Sequence, residues 1–325
     1  MTLRRPLSVL SLSLCLGFSA PAAAEEPEAA ALPSTPQTAP KPTDAPTAPT
    51  LPPLGPDTRL YFANINFLRW NPLGMETQNR LILQKRMFDG ESMLTRDNFV
   101  NGAFAIKANP ASVKIGPVFE IQPLAIFNLR ATYEYVRYFG TFGFLQSYNN
   151  PMLDFSDDAR DLTEGDAYST SGHHYMVEPT LQARFGSFVV RSKASIEYWN
   201  VALREGNGAS FYDALLDTLI PGRGWVFTND TDLMMLTTPQ LTLGARFSGV
   251  WPRYQDGSGG AQNVDNSHTR IGPMMAYALN TREGSSFNRP TILLNFAWYL
   301  NHPNRGGALP YMMGAFAFTS DFLGG

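Results

Sequence analysis

The side chains able to do chemistry fall into three sets. The first is the four histidines, His173, His174, His268 and His302, whose rings titrate nearest neutral pH. None lies in a G-x-S-x-G elbow or an H-E-x-x-H helix, so catalysis would need the fold to bring a serine or carboxylate beside one of them. The second is an acidic run of Asp154, Asp157, Asp158, Asp161, Glu164 and Asp166 against the lone Arg160. Its spacing is not that of an EF-hand loop, and the plain expectation is a solvated acidic loop.

The third set is the largest: basic and acidic residues at alternate positions of long, otherwise apolar segments. Between Val113 and Phe139, Val113, Ile115, Phe119 and Ile121, then Phe127, Leu129, Ala131, Tyr133 and Tyr135, alternate with Lys114, Glu120, Arg130 and Glu134. A period of two is that of a strand with one oily and one polar face, and the break near Pro123 and Leu124 makes the pair a hairpin.

The remaining chain repeats this unit, giving about twelve strands. The first spans 59–69, with Tyr61, Ala63, Ile65 and Phe67 expected on the oily face and Asn64 and Asn66 on the polar one. Others follow at 78–88, 99–108, 175–185, 188–201, 225–236, from 241 to about 251, from 269, and at 291–300 and 311–322. Arg270, Ile271, Gly272 and Pro273 echo Lys114, Ile115, Gly116 and Pro117. Short links after the fourth, sixth and eighth strands, and long ones at 141–172, 204–224 and 255–267, suggest a turn side and a loop side. Tyr133, Tyr135, Phe139, Tyr198, Trp199, Phe247, Trp251, Phe296 and Trp298 sit towards the loop-side strand ends, as a headgroup-level girdle would. Within the second long link, 210–220 has Phe211, Leu215 and Leu219 at helical spacing after Ser210, which predicts a short helix over the mouth.

The ends carry other signals. Arg4 and Arg5, the apolar run 7–18 and Ala22, Ala23 and Ala24 have the layout of a secretory signal peptide over 1–24. The one cysteine, Cys15, lies inside it, so cleavage leaves neither disulfide nor thiolate site. Loss of Arg4 and Arg5 takes the formal charge from -3 to -5, which argues against a nucleic-acid partner. Residues 25–57 are rich in Pro, Ala and Thr, the composition of a disordered linker, leaving 58–325 as the folded domain. Mean hydropathy is only -0.17, but a membrane strand is apolar on one face alone and escapes that measure.

Signal peptide, cysteine-free mature chain, alternating hairpins and long loops together resemble bacterial outer-membrane β-barrel proteins of the porin-like kind. The resemblance implies an all-β transmembrane antiparallel up-and-down barrel in the outer membrane, with the linker in the periplasm. It implies lipid and the barrel-assembly machinery as partners and brings no cofactor. The chain departs from the usual terminal Phe, since Leu323, Gly324 and Gly325 follow Phe322. If oily faces meet lipid, parity puts Arg80, Arg86, Lys107, Lys114, Glu120, Arg130, Glu134, Glu178, Arg184, Arg191, Lys193, Glu197, Arg246 and Arg270 in the lumen, with Asp230 and Asp232. A hydrated lumen of that kind would be a narrow passive channel for small anionic or polar solutes. A fully paired one would be a closed scaffold, adhesin or display protein, with a rim enzyme as the remaining class.

Overall fold

In the computed structural model, residues 56–254, 264–280, 286–306 and 309–323 are described. The signal peptide, nearly all of the linker and the terminal glycines fall outside them. The first strands are β1 (Thr58–Trp70), β2 (Gly74–Lys85), β3 (Phe99–Asn109), β4 (Ser112–Leu124) and β5 (Phe127–Phe139). Within the next link lie β6 (Ser147–Tyr148) and α1 (Asp157–Leu162), then β7 (Ser169–Phe185) and β8 (Phe188–Val201). Two short strands, β9 (Ser210–Asp213) and β10 (Thr218–Pro221), precede β11 (Arg223–Leu236) and β12 (Leu241–Arg253). The chain finishes with β13 (His268–Ala278), β14 (Asn288–Asn301) and β15 (Tyr311–Leu323).

Twelve of these strands close a barrel in chain order, every neighbour antiparallel, with β15 returning to pair with β1. Closure leaves no open edge, which is what a sheet in hydrocarbon requires. The outward positions carry the oily side chains: Leu81, Phe104, Phe119, Val177, Leu233, Ile271 and Phe296 are all exposed. The alternate positions are buried and largely polar, inverting the pattern of a water-soluble protein.

β1 reverses the sequence expectation. Tyr61, Ala63 and Ile65 are buried inside, whereas Asn66 is exposed and Asn64 half-exposed on the outer wall. The reason is in the same strand: Arg59 and Arg69 share parity with Tyr61, and both guanidinium groups are buried against polar partners. Facing Tyr61 outward would have placed two arginines in lipid. The outer asparagines satisfy one another, Asn66 to Asn64 at 2.5 Å and Asn64 to Asn79 of β2 at 2.8 Å.

The repeated Ile-Gly-Pro has a structural explanation. The β4–β5 ladder runs to Ile115 opposite Tyr135 and resumes at Val118 opposite Thr132. The β13–β14 ladder likewise skips from Ile271 to Met274. Each proline lacks the N–H to pair there, and each glycine lies where a Cβ would meet a neighbouring carbonyl: 2.0 Å from Tyr133 O for Gly116, 1.9 Å from Phe296 O for Gly272.

The barrel links divide into two sides only in part. The start of β1, the end of β15 and the tight turns 125–126 and 186–187 share one end, but so does the longer link 86–98. The other end carries the long links 140–168 and 202–222 beside the minimal ones 71–73 and 110–111. Of the girdle residues, Tyr135, Phe139, Phe296 and Trp298 are exposed on the outer wall as expected. Trp199 is not: it is 1% exposed and lies inside, because it shares parity with Glu197 rather than with Tyr198.

The helix expected over 210–220 is instead the hairpin β9–β10. Every residue of its two strands is buried, and a segment buried on both faces shows no amphipathic period to distinguish strand from helix. In the acidic link, Ser156 Oγ accepts from the Ala159 N–H and caps α1, so part of that loop is ordered helix.

Candidate functional site

The interior wall is built from long strands whose inward residues form ion pairs with close neighbours. Lys107 Nζ lies 2.7 Å from Glu134, and His174 joins Glu134 and Glu197 at 3.0 Å each. Carboxylates only accept, so both His174 ring nitrogens donate, an arrangement that an imidazolium satisfies. The ring stacks on Trp199 at 3.9 Å, and the indole N–H donates to Glu197. Beside this group, Arg130 contacts Glu120 at 3.2 Å and Glu178 at 3.6 Å, and Lys193 donates to Glu178 at 3.2 Å. Further round the wall, Asp232 receives Arg191 Nε at 3.0 Å and Arg246 Nε at 2.6 Å, while Asp230 accepts from Ser248 at 2.7 Å.

All these pairs join strands that are neighbours or next-but-one in the barrel wall. The charges are therefore tied along the circumference. Pairing of this kind offsets the cost of taking ions out of bulk water. Arg270 is different: its Nε and Nη1 find no hydrogen-bond partner among the described residues, and its guanidinium stacks over Tyr311 at 4.1 Å.

Arg80, Lys114, Glu120, Glu134, Glu178, Arg191 and Glu197 are thus buried inside, with Lys107, Arg130, Lys193, Arg246 and Arg270 partly so. Two expected lumen residues lie elsewhere. Arg86 falls just beyond β2 and pairs with Asp57 and Asp89 at the chain-end rim. Arg184 is exposed at the last turn of β7, bonded to Gly186 O, where parity continues but the lumen has ended.

Sequence reasoning missed Arg59, Arg69, Glu76 and Asp321, which are also interior. Arg59 meets Asp321 at 2.6 Å across the β1–β15 closure. Glu76 shares parity with Arg80, but the strand expected from 78 begins at Gly74, so Glu76 falls before the expected start. These additions, two cations and two anions, leave the charge balance unchanged; it is the loss of Arg86 and Arg184 that narrows the expected basic excess of the lumen.

At the long-loop mouth the β9–β10 hairpin packs inside the wall, with Phe211 edge-on to Tyr138 and Trp199. Its turn is held from several sides: Arg69 Nη1 donates to Leu215 O at 2.8 Å and His268 Nε2 to Leu216 O at 2.7 Å. Asp217 at the tip has a positive φ of 54° and no exposure. Its carboxylate accepts from Arg305 Nε at 2.7 Å, Tyr299 at 2.6 Å and Tyr212 at 2.7 Å, and its carbonyl accepts from His302 at 2.8 Å. Burial alone would raise the Asp217 carboxyl; His302 Nε2, also 3.4 Å from Oδ2, and Arg305 override it and hold the group far below the usual carboxylate range. Arg305 also grips Asp157 of α1 at 2.9 Å and Asn71 Oδ1 at 2.9 Å, so one guanidinium ties three mouth segments together. Asp157 of the acidic run is therefore engaged by Arg305 and Arg160.

Closed register, oily outer wall and charged inner wall define a transmembrane β-barrel of porin-like build. Solved structures of that kind are similar to it. The KdgM porin in complex with disordered oligogalacturonate is 7% identical, with 81% of this chain and 99% of that one covered and a TM-score of 0.36. The NanC porin is 8% identical over 81% and 100%, with a TM-score of 0.37. The β domain of the Bordetella autotransporter BrkA is 12% identical over 82% and 100%, with a TM-score of 0.38. No family model matches the sequence, and no curated protein matches it.

Proposed function

We propose that this chain is a bacterial outer-membrane channel for small anionic or polar solutes, passive and narrow, stoppered at its long-loop mouth by the β9–β10 hairpin. The observation that carries the reading is that the interior ion pairs run along the wall. A scaffold barrel has no need of some ten interior cations, and side chains tied sideways leave the axis to water. Twelve strands lie between the eight that side chains just fill and the sixteen that leave a wide pore. Arg270, with free donors over an aromatic face, supplies a station for an anion. In this reading the long loops face the exterior, the linker lies in the periplasm, and lipid and the assembly machinery are the partners.

The test is planar-bilayer recording of refolded protein in a salt gradient, on the native chain and on one with 209–221 replaced by a short Gly-Ser link. Channel function predicts rare openings in the first, steady current in the second, and a reversal potential favouring anions. Silence in both would instead favour a closed scaffold or display barrel, and cation preference would remove the anionic solute.

A further inference from the structure

Between the barrel rim and the stopper lies a cavity of ≈ 260 Å³ whose position in the wall is unusual. It sits where the mouth is lowest, beside the minimal links 71–73 and 110–111. Its outer lining is Leu68, Leu73, Met75 and Phe142, all exposed, and Leu68 and Met75 belong to the outward face of β1 and β2. Its inner lining includes Arg69, Lys114 and Tyr138, which are 4%, 6% and 6% exposed. The cavity therefore grades from the lipid-facing surface into a polar recess whose two cations, Arg69 and Lys114, outnumber its one carboxylate, Asp213, which accepts from the Leu215 and Leu216 N–H groups.

The polar end is incompletely satisfied. Arg69 spends its terminal nitrogens on the hairpin carbonyls, but Nε has no hydrogen-bond partner, and neither has the Tyr138 hydroxyl. Lys114 lies over the Trp199 ring at 5.1 Å. Buried donors without acceptors are costly, each worth about 1–3 kcal/mol of desolvation, and two lining one recess call for an acceptor. An oily entrance open to the bilayer, a small volume and a cationic, donor-bearing end together specify the ligand.

We propose that this recess binds a single-chain anionic amphiphile, a medium-chain fatty carboxylate, entering sideways from the outer leaflet. The carboxylate accepts from Arg69 Nε and the Tyr138 hydroxyl beside the Lys114 charge, and the tail lies over Leu68 and Met75. The recess is the size of one chain rather than two, and a neutral amphiphile brings no charge to Arg69 and Lys114. Arg69 and Lys114 belong to the inner wall, but the entrance past Leu68 and Met75 lies on the outer one, so the proposal stands whether or not the lumen conducts.

Trp199 provides the readout. In a full-length chain with Trp70, Trp225, Trp251 and Trp298 changed to Phe, it is the sole remaining indole, shielded from bulk lipid by the wall. Refolded into nanodiscs and titrated with 2-bromododecanoate, the protein should show saturable quenching that dodecanoate reverses and dodecanol does not. Tyr138→Phe, which removes only an unpartnered hydroxyl, should weaken binding several-fold, and Ala111→Phe, which fills the cavity, should abolish it. Quenching that rises linearly with bromolipid, equal competition by dodecanol, or saturation unaffected by both substitutions would overturn the proposal.

Discussion

Arg305 Nε donates to Asp217 Oδ2 across 2.7 Å, joining the last mouth link to the tip of a hairpin inserted 88 residues earlier. The pair is buried on the Asp217 side and shares its donors with α1 and the 71–73 link, so it is the knot of the stopper. Asp217→Asn keeps the shape but leaves Arg305 and His302 facing a neutral amide. Breaking such a pair costs about 3–5 kcal/mol. Single-channel recordings should show open probability rising at least tenfold, with the barrel's own thermal transition unchanged.

Acid alone should not open the stopper. Asp217 has a depressed folded-state pKa, so its contribution is complete above the ordinary carboxylate value and is lost only as pH falls through the lowered one. Open probability should accordingly stay flat from pH 7 down to about pH 4.5. Opening within that window would show that another group controls closure.

Arg270→Gln removes a lumen guanidinium whose Nε and Nη1 have no hydrogen-bond partner among the described residues. The ratio of anion to cation permeability, read from reversal potentials, should fall several-fold in the stopper-deleted chain. Arg191→Gln should change it less, because Asp232 already balances that charge.

Gly116→Ala and Gly272→Ala should each prevent closure or destabilise the barrel by roughly 3 kcal/mol or more, since no flexible side chain can yield to make room. Gly102→Ala, where a Cβ meets nothing within 4 Å, is the control and should fold normally. Heat-modifiable gel migration and thermal melting separate these outcomes.

The barrel was legible because lipid imposes one rule on every strand, and those with charged inward residues, such as β4, β7 and β8, show it in plain alternation. β1 misled because both its faces carry apolar residues, and only its terminal arginines reveal which face is inside. Trp199 misled for a related reason: residue type suggested the girdle, while parity with Glu197 placed it in the lumen. The stopper was least legible, since Phe211, Leu215 and Leu219 fit a helical spacing by chance and its anchors come from far along the chain. Nothing local to Asp217 announces Arg305, Tyr299 or His302.

That reach across the sequence has a kinetic meaning. The hairpin is made between β8 and β11, yet its socket is assembled from Arg69 near one end of the sheet and from Tyr299 and Arg305 near the other. Until the final strand zips against the first, half of that socket does not exist. If the channel reading holds, sealing of the mouth waits on closure of the sheet, and a barrel still open between its first and last strands is expected to leak.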